Sequence, residues 1–61
     1  MNGKQVISKL KEAGFTVVRI EGSHYRLAKD GKKTSVPVHG TKDLKPGTLA
    51  SIERQSGVKL K

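Results

Sequence analysis

The opening segment has the hydrophobic spacing of an amphipathic helix. In NGKQVISKLKEAGF, Asn2 stands three residues before Gln5, which is the spacing of a capping box at a helix N-terminus. Apolar residues then recur on one helical face: Val6, Ile7, Leu10 and Ala13. Gly14 followed by Phe15 predicts a left-handed stop, after which the aromatic side chain packs back onto the helix.

After this helix the hydrophobic period becomes alternating. The segments FTVVRI, HYRLAK and KKTSVPV are rich in β-branched and aromatic residues and are separated by two-residue turn signals. Asp30-Gly31 is a strong hairpin signal, and Gly22-Ser23 suits a type II′ turn. Pro37 cannot donate a hydrogen bond to a ladder, so the third strand is expected to place it at a sheet edge. The pattern predicts a three-stranded antiparallel meander.

A second helix is predicted after the polar loop HGTKDLK. Pro46 suits its first position, where an N–H would have no partner in the helix. Leu49, Ile52 and Ala50 are expected to face inward, and Gly57 to end the helix. The order α-β-β-β-α predicts an α+β fold in which two helices cover one face of the sheet.

The turn at Gly22-Ser23 also predicts which strand residues face each other. The expected pairs are Glu21 with His24, Ile20 with Tyr25, Arg19 with Arg26, and Val18 with Leu27. Opposed residues share a face of the sheet. The face covered by the helices is therefore expected to carry Val18, Ile20, Tyr25 and Leu27. The open face is expected to carry Arg19, Glu21, His24 and Arg26.

Two features of this open face point to a ligand. Arg19 opposite Arg26 is a like-charge pair that disfavours stability, and a nucleic-acid phosphate between the two guanidiniums would offset the repulsion. His39 lies two residues past Pro37, so it is expected diagonally across from His24 if the third strand continues that far.

Composition supports a polyanionic partner. The 61 residues, predicted to form one domain over 1–61, carry 13 Lys and Arg against 5 Asp and Glu, for a net charge of +8 and a pI near 10.2. Such an imbalance attracts nucleic acid, although solubility alone would also explain it. The first helix lacks the aromatic anchors of a membrane-surface helix, and no apolar run suits a signal peptide or a membrane span. These features predict a cytoplasmic protein.

The residue types present allow few kinds of catalytic site. Without cysteine the chain has no disulfide, thiolate metal site or cysteine nucleophile. Two histidines without paired carboxylates supply too few metal ligands, and no phosphate-binding or dinucleotide-binding glycine motif occurs, so neither metal nor cofactor is expected. Ser23 and His24 are sequential and are expected to point apart, which disfavours a serine-hydrolase arrangement.

His24 remains the candidate for proton transfer. Imidazole is suited to general acid or base catalysis near neutrality, and RNA supplies its own nucleophile in the 2′-hydroxyl. Metal-independent RNA cleavage needs such a group and cations around the phosphorane, which Arg19 and Arg26 could provide. An ordinary exposed histidine is the alternative on chemistry alone. Glu21 either orients the His24 ring or forms a plain cross-strand ion pair with it.

Three blocks of the sequence, GSHYRL, SVPVH and KDLKPGTLASIERQSG, resemble the HicA (YcfA-like) toxins of bacterial and archaeal type II toxin–antitoxin pairs. The resemblance covers nearly the whole chain. It implies a fold like the double-stranded RNA-binding domain and a metal-independent mRNA endonuclease that blocks translation. It also implies that His24 is the active histidine and that a cognate HicB antitoxin covers the active surface.

This interpretation assigns RNA contacts to a set of residues around His24: Arg19, Ser23, Arg26, Lys33 and His39, the last matching the V-P-x-H block of the family. The free toxin is expected to be a monomer or a weak oligomer. One rival is a non-catalytic double-stranded RNA-binding module, for which Lys42 and Lys45 offer only a thin basic patch. Another is a DNA-binding regulator, whose second helix would expose few base-reaching side chains beyond Arg54 and Gln55.

Overall fold

The computed structural model describes residues 1–60 and has the predicted α-β-β-β-α order. The elements are α1 (Gly3–Glu12), β1 (Thr16–Glu21), β2 (His24–Lys29), β3 (Lys32–Pro37) and α2 (Pro46–Ser56). The strands form one antiparallel sheet in the order β1-β2-β3. The prediction of an α+β fold like the double-stranded RNA-binding domain is confirmed. Across residues 1–60, no helix has the length and apolar character needed to cross a membrane.

The boundaries of α1 follow the sequence signals. The Asn2 side chain accepts a hydrogen bond from the Gln5 backbone N–H at 2.9 Å, and the Gln5 side chain accepts one from the Asn2 N–H at 2.9 Å. At the other end Gly14 has φ +101°, and the Phe15 N–H donates to the Leu10 carbonyl at 2.9 Å. The capping box and the left-handed stop are therefore confirmed.

The inward face of α2 differs from the prediction at one position. Pro46 begins the helix, and Gly57 ends it with φ +73°. Leu49 and Ile52 are buried as predicted, but Ala50 is exposed and Ser56 is buried instead. The expectation for Ala50 was wrong because residues spaced three and four apart share the buried face, and the position next to Leu49 is turned away from it.

One cluster of buried side chains joins both helices to one face of the sheet. The buried apolar residues are Val6, Ile7, Leu10, Phe15, Leu27, Val36, Leu49, Ile52 and Leu60. Both helices therefore cover the same face, as predicted. Leu60 belongs to the C-terminal VKLK segment, which is too short to show a periodicity that would have predicted its burial.

The β1–β2 ladder starts in the predicted register and then shifts. The observed pairs include Glu21 with His24, Ile20 with Tyr25, and Arg19 with Arg26, but Val17 rather than Val18 opposes Leu27. Val18 is the extra residue of a β-bulge and is 63% exposed. The prediction that Val18 covers the helices was therefore wrong, because the bulge turns Val17 inward in its place.

Ile20 also departs from its predicted environment. It opposes Tyr25 as expected, yet it is 56% exposed. Both helices make their main sheet contacts with β3, at the opposite edge from β1. The predicted pairing of Ile20 was right and its predicted burial was wrong, because the helices do not reach far enough across the sheet to cover the end of β1 that carries it, although Val17 on the same strand packs against the core.

The two hairpin turns have different backbone conformations. Asp30 and Gly31 have φ +47° and +82°, so both central residues are left-handed as a type I′ turn requires. In the other turn Gly22 has φ +58° and Ser23 has no positive φ, the pattern expected of type II′. The β2–β3 register runs unbroken from Lys29 with Lys32 to His24 with Pro37.

Candidate functional site

His24 stands where all three strands meet at one end of the sheet. It is the first residue of β2, directly after the Gly22-Ser23 turn, and it faces Glu21 on β1 and Pro37 on β3. Its side chain is exposed. The sequence prediction that the turn presents this histidine on the open side of the sheet agrees with this placement.

Backbone contacts from two other elements hold the turn. The Val38 N–H donates to the Ser23 carbonyl at 2.7 Å, which ties the turn to the end of β3. The start of α1 rests against the same segment, since a Cβ atom at Gly3 would lie 2.5 Å from the Pro37 carbonyl oxygen. Only glycine permits this close approach. The position of His24 therefore depends on β3 and α1 as well as on its own hairpin.

Arg19 and Arg26 share one carboxylate beside His24. The Glu21 Oε1 atom lies 2.8 Å from Arg26 Nε and 3.5 Å from Arg19 Nε. The like-charge pair predicted from the register is present, but Glu21 offsets its repulsion. The three side chains are solvent-exposed, and exposed ion pairs contribute only about 0–1 kcal/mol. The cluster is therefore a weak source of stability.

Glu21 takes a partner other than the one the sequence analysis considered. Within residues 1–60 it forms no ion pair with His24, and its carboxylate contacts the two arginines instead. Arg26 is two residues beyond His24 on β2, so it is the diagonal neighbour of Glu21. The predicted register allows a contact between Glu21 and Arg26, but it does not favour this diagonal contact over the direct one with His24.

A shallow groove extends this basic face toward β3. Its volume is about 440 Å³, and its lining combines residues that the register places on the open face with residues that lie outside that face: Arg19, Arg26, Lys33 and Ser35 in the first group, and Val18, Leu27, Thr34 and Gln55 in the second. Ser35 opposes Arg26, and Lys33 opposes Ala28. The structure thus brings Lys33 to the same groove as both arginines. Among the described residues, neither histidine lines the groove.

His39 and Ser23 lie at the end of the sheet outside this groove. The strand β3 ends at Pro37, and the chain turns at the exposed His39, whose carbonyl accepts from the Lys42 N–H at 3.1 Å. The ladder needed to make His39 the diagonal neighbour of His24 therefore stops short of it. Ser23 is half-buried, and its described contact is the backbone bond to Val38.

Over residues 1–60 the carboxylates and imidazoles do not gather into a metal-binding group. Within residues 1–60, no three His, Asp or Glu side chains come together in an arrangement that could hold an ion. The residues predicted around His24 are instead three cations, one hydroxyl and a second imidazole, and the cations suit an anionic ligand.

Comparison with known proteins places this arrangement in a family. Residues 3–58 match the model of the HicA toxin of bacterial toxin–antitoxin systems. The chain is also 38% identical over 50 residues to a protein of Pseudomonas fluorescens (strain Pf0-1) named "Probable mRNA interferase HicA", with 82% of this chain and 83% of that protein covered. The chain belongs to the HicA toxin family.

Proposed function

We propose that this protein is a metal-independent endoribonuclease that cleaves mRNA, blocks translation and uses His24 as general acid or base. Membership of the HicA toxin family and the mRNA interferase name of a relative support the reaction class. The observation that carries the proposal is the exposed His24 at a backbone-held turn, on the edge of a face that bears Arg19 and Arg26.

The reaction needs two proton transfers at one phosphodiester. The 2′-hydroxyl loses its proton to a base as its oxygen bonds to phosphorus, and the P–O5′ bond breaks as the 5′-oxygen gains a proton from an acid. The products are a 2′,3′-cyclic phosphate and a 5′-hydroxyl. His24 performs one of these transfers, which is a role that imidazole fills near neutral pH.

The neighbouring cations bind and stabilise the phosphate. His24 and Arg26 are two residues apart on β2, so their Cα atoms lie roughly 7 Å from each other along the strand. Arg19 and Arg26 hold the phosphate backbone and offset the charge that develops on the phosphorane. Lys33 binds a phosphate further along the groove, and Ser23 and His39 contact RNA near the turn.

The same face is the binding surface for a cognate HicB-type antitoxin, which silences the toxin by covering His24. The free toxin is a cytoplasmic monomer or weak oligomer. The large positive charge of +8 gives both mRNA and an acidic protein surface a favourable approach.

Cleavage of RNA by purified protein in excess chelator tests the proposal. Wild-type protein should yield 2′,3′-cyclic phosphate ends, and His24→Ala should lower kcat by about 10²–10⁴-fold, the usual contribution of a general acid or base. The thermal unfolding curve of the variant should match that of wild type, because the side chain is exposed.

His39→Ala provides the matched control, because it removes the other imidazole from the same end of the sheet. It should change KM more than kcat. Cleavage by His24→Ala at the wild-type rate would rule out the catalytic assignment. Binding of RNA by wild-type protein without any cleavage would favour the non-catalytic module.

A further inference from the structure

Glu21 is an unusual residue for the surface on which it lies. The chain has five acidic residues: Glu12, Glu21, Asp30, Asp43 and Glu53. Glu21 alone belongs to a strand, and the remaining charged side chains of the strands are cations. An acidic side chain in the middle of a phosphate-binding face should weaken binding, so its presence there calls for a physical explanation.

The Glu21 carboxylate carries the charge of a phosphodiester and contacts the two arginines that the proposed function assigns to phosphate. Oε1 of Glu21 contacts Nε of both arginines, at 2.8 Å and 3.5 Å. A carboxylate and a phosphodiester each carry one negative charge, and a guanidinium binds either through the same N–H donors. A phosphate that binds both guanidiniums through their Nε–H donors must therefore displace Glu21.

We propose that Glu21 is an internal competitor that holds the phosphate position between Arg19 and Arg26 until RNA displaces it. The inference rests on the proposed function, in which this face binds RNA. Free protein then keeps both guanidiniums together without mutual repulsion. The cost is a lower affinity for RNA, because each binding event must break the contacts to the carboxylate.

The geometry favours a competitor over a supporting brace. A carboxylate that braces an arginine for ligand binding lies behind the guanidinium, on the side away from the ligand. Glu21 is two residues from Arg19 on the same strand and is the diagonal neighbour of Arg26, so all three side chains leave the sheet on the same open face. The Glu21 side chain is 44% exposed, which leaves it in reach of an incoming anion.

Removing the carboxylate charge should therefore strengthen RNA binding. The test compares His24→Ala with His24→Ala/Glu21→Gln, so that the RNA stays intact, by fluorescence anisotropy with a labelled oligouridine at several salt concentrations. Glu21→Gln should lower Kd by about 3–10-fold at low salt, and the slope of log Kd against log salt should stay close to that of the parent, because RNA fills the same phosphate position in both complexes.

Glu12→Gln in the same His24→Ala background controls for net charge. Glu12 is exposed at the end of α1, outside the sheet, and its removal changes the charge of the chain by the same amount. Glu21→Gln should exceed this control in its gain of affinity. Equal effects of the two variants would overturn the proposal, and so would weaker binding by Glu21→Gln, which a brace predicts.

A third variant tests whether the effect passes through the arginines. In an Arg26→Met background the gain from Glu21→Gln should shrink to that of Glu12→Gln, and an undiminished gain would contradict the proposal. Unfolding curves of all variants should coincide within a few degrees. If His24→Ala binds RNA and Glu21→Gln adds no affinity, the competitor role alone fails. If the His24→Ala parent does not bind RNA, the proposed function fails together with the competitor role.

Discussion

The two hairpins share the central strand β2, and each has a two-residue loop. They differ in the regularity of their register and in how far the helices cover them. The β2–β3 hairpin has an unbroken register and carries the sheet residues packed most tightly against the helices, including Leu27 and Val36. The β1–β2 hairpin has a bulge at Val18, and β1 lies at the edge that the helices leave uncovered. The β2–β3 hairpin supplies most of the sheet residues in the core, whereas β1 is largely surface.

The difference extends to what the charged residues do. In the β2–β3 hairpin the Lys29 ammonium donates to the Ala13 carbonyl at the end of α1, and the Lys32 ammonium lies near Gly57 at the end of α2. These charges interact favourably with helix C-termini. In the β1–β2 hairpin Arg19 and Arg26 face solvent and contact Glu21. Arg19 lies on the sparsely packed edge strand, whereas Arg26 shares β2 with the buried Leu27. Both arginines are available for binding because they lie on the open face of the sheet.

Truncation of one apolar side chain on the central strand β2 and of one on the edge strand β1 should give the largest contrast. Leu27 is 1% exposed, so Leu27→Ala should lower the free energy of unfolding by about 2–5 kcal/mol, which is enough to unfold most of so small a domain. Ile20→Ala should cost less than about 1 kcal/mol because the side chain is already in solvent. Urea unfolding followed by circular dichroism measures both. Similar losses would mean that β1 is covered in solution.

The same contrast explains how far the sequence could predict the fold. The α-β-β-β-α order, the capping box and both turns follow from local signals, which act within a few residues. The bulge at Val18 does not, because the alternation in FTVVRI fits a regular ladder equally well. Whether Val17 or Val18 faces inward depends on where the helices lie across the sheet, and that depends on the packing of the whole chain.

The sequence likewise predicts one part of the candidate site and not another. Turn length and alternation were enough to place His24 and Arg26 on the open face. They were not enough to choose between the direct and the diagonal partner of Glu21, because that choice depends on side-chain conformation. The proposed catalytic role of His24 rests on its chemistry and on the family resemblance, since an exposed histidine has no periodic signal of its own.

An alanine at each turn glycine should separate stability from activity. Gly22 has φ +58° and Gly31 has φ +82°, so Gly22→Ala and Gly31→Ala should each lower the free energy of unfolding by about 1–2 kcal/mol. Only Gly22→Ala should also lower the rate of RNA cleavage per folded molecule, because its turn positions His24. Cleavage assays well below each melting temperature measure this, and an equal loss of cleavage in Gly31→Ala would contradict the role of the Gly22-Ser23 turn in positioning His24.

Substitution of either of two lysines in the β2–β3 hairpin should cause the smallest changes in stability and in RNA affinity. Lys29→Met removes the ammonium that donates to the Ala13 carbonyl, so it should lower the free energy of unfolding by about 0.3–1 kcal/mol at low salt. The loss should shrink in high salt, because the side chain is exposed and the interaction is screened. RNA affinity should fall only as much as the change in net charge requires.

Lys33→Met removes the same charge from the same hairpin but from the opposite face. Lys33 opposes Ala28 and lines the groove with Arg19 and Arg26, so the variant should keep its stability and bind RNA with a salt slope that is shallower by about 0.7. Equal salt slopes for Lys29→Met and Lys33→Met would mean that RNA responds to net charge alone. A difference confined to Lys33 would show that the face on which a lysine lies, and not the hairpin to which it belongs, decides whether it supports the fold or the ligand.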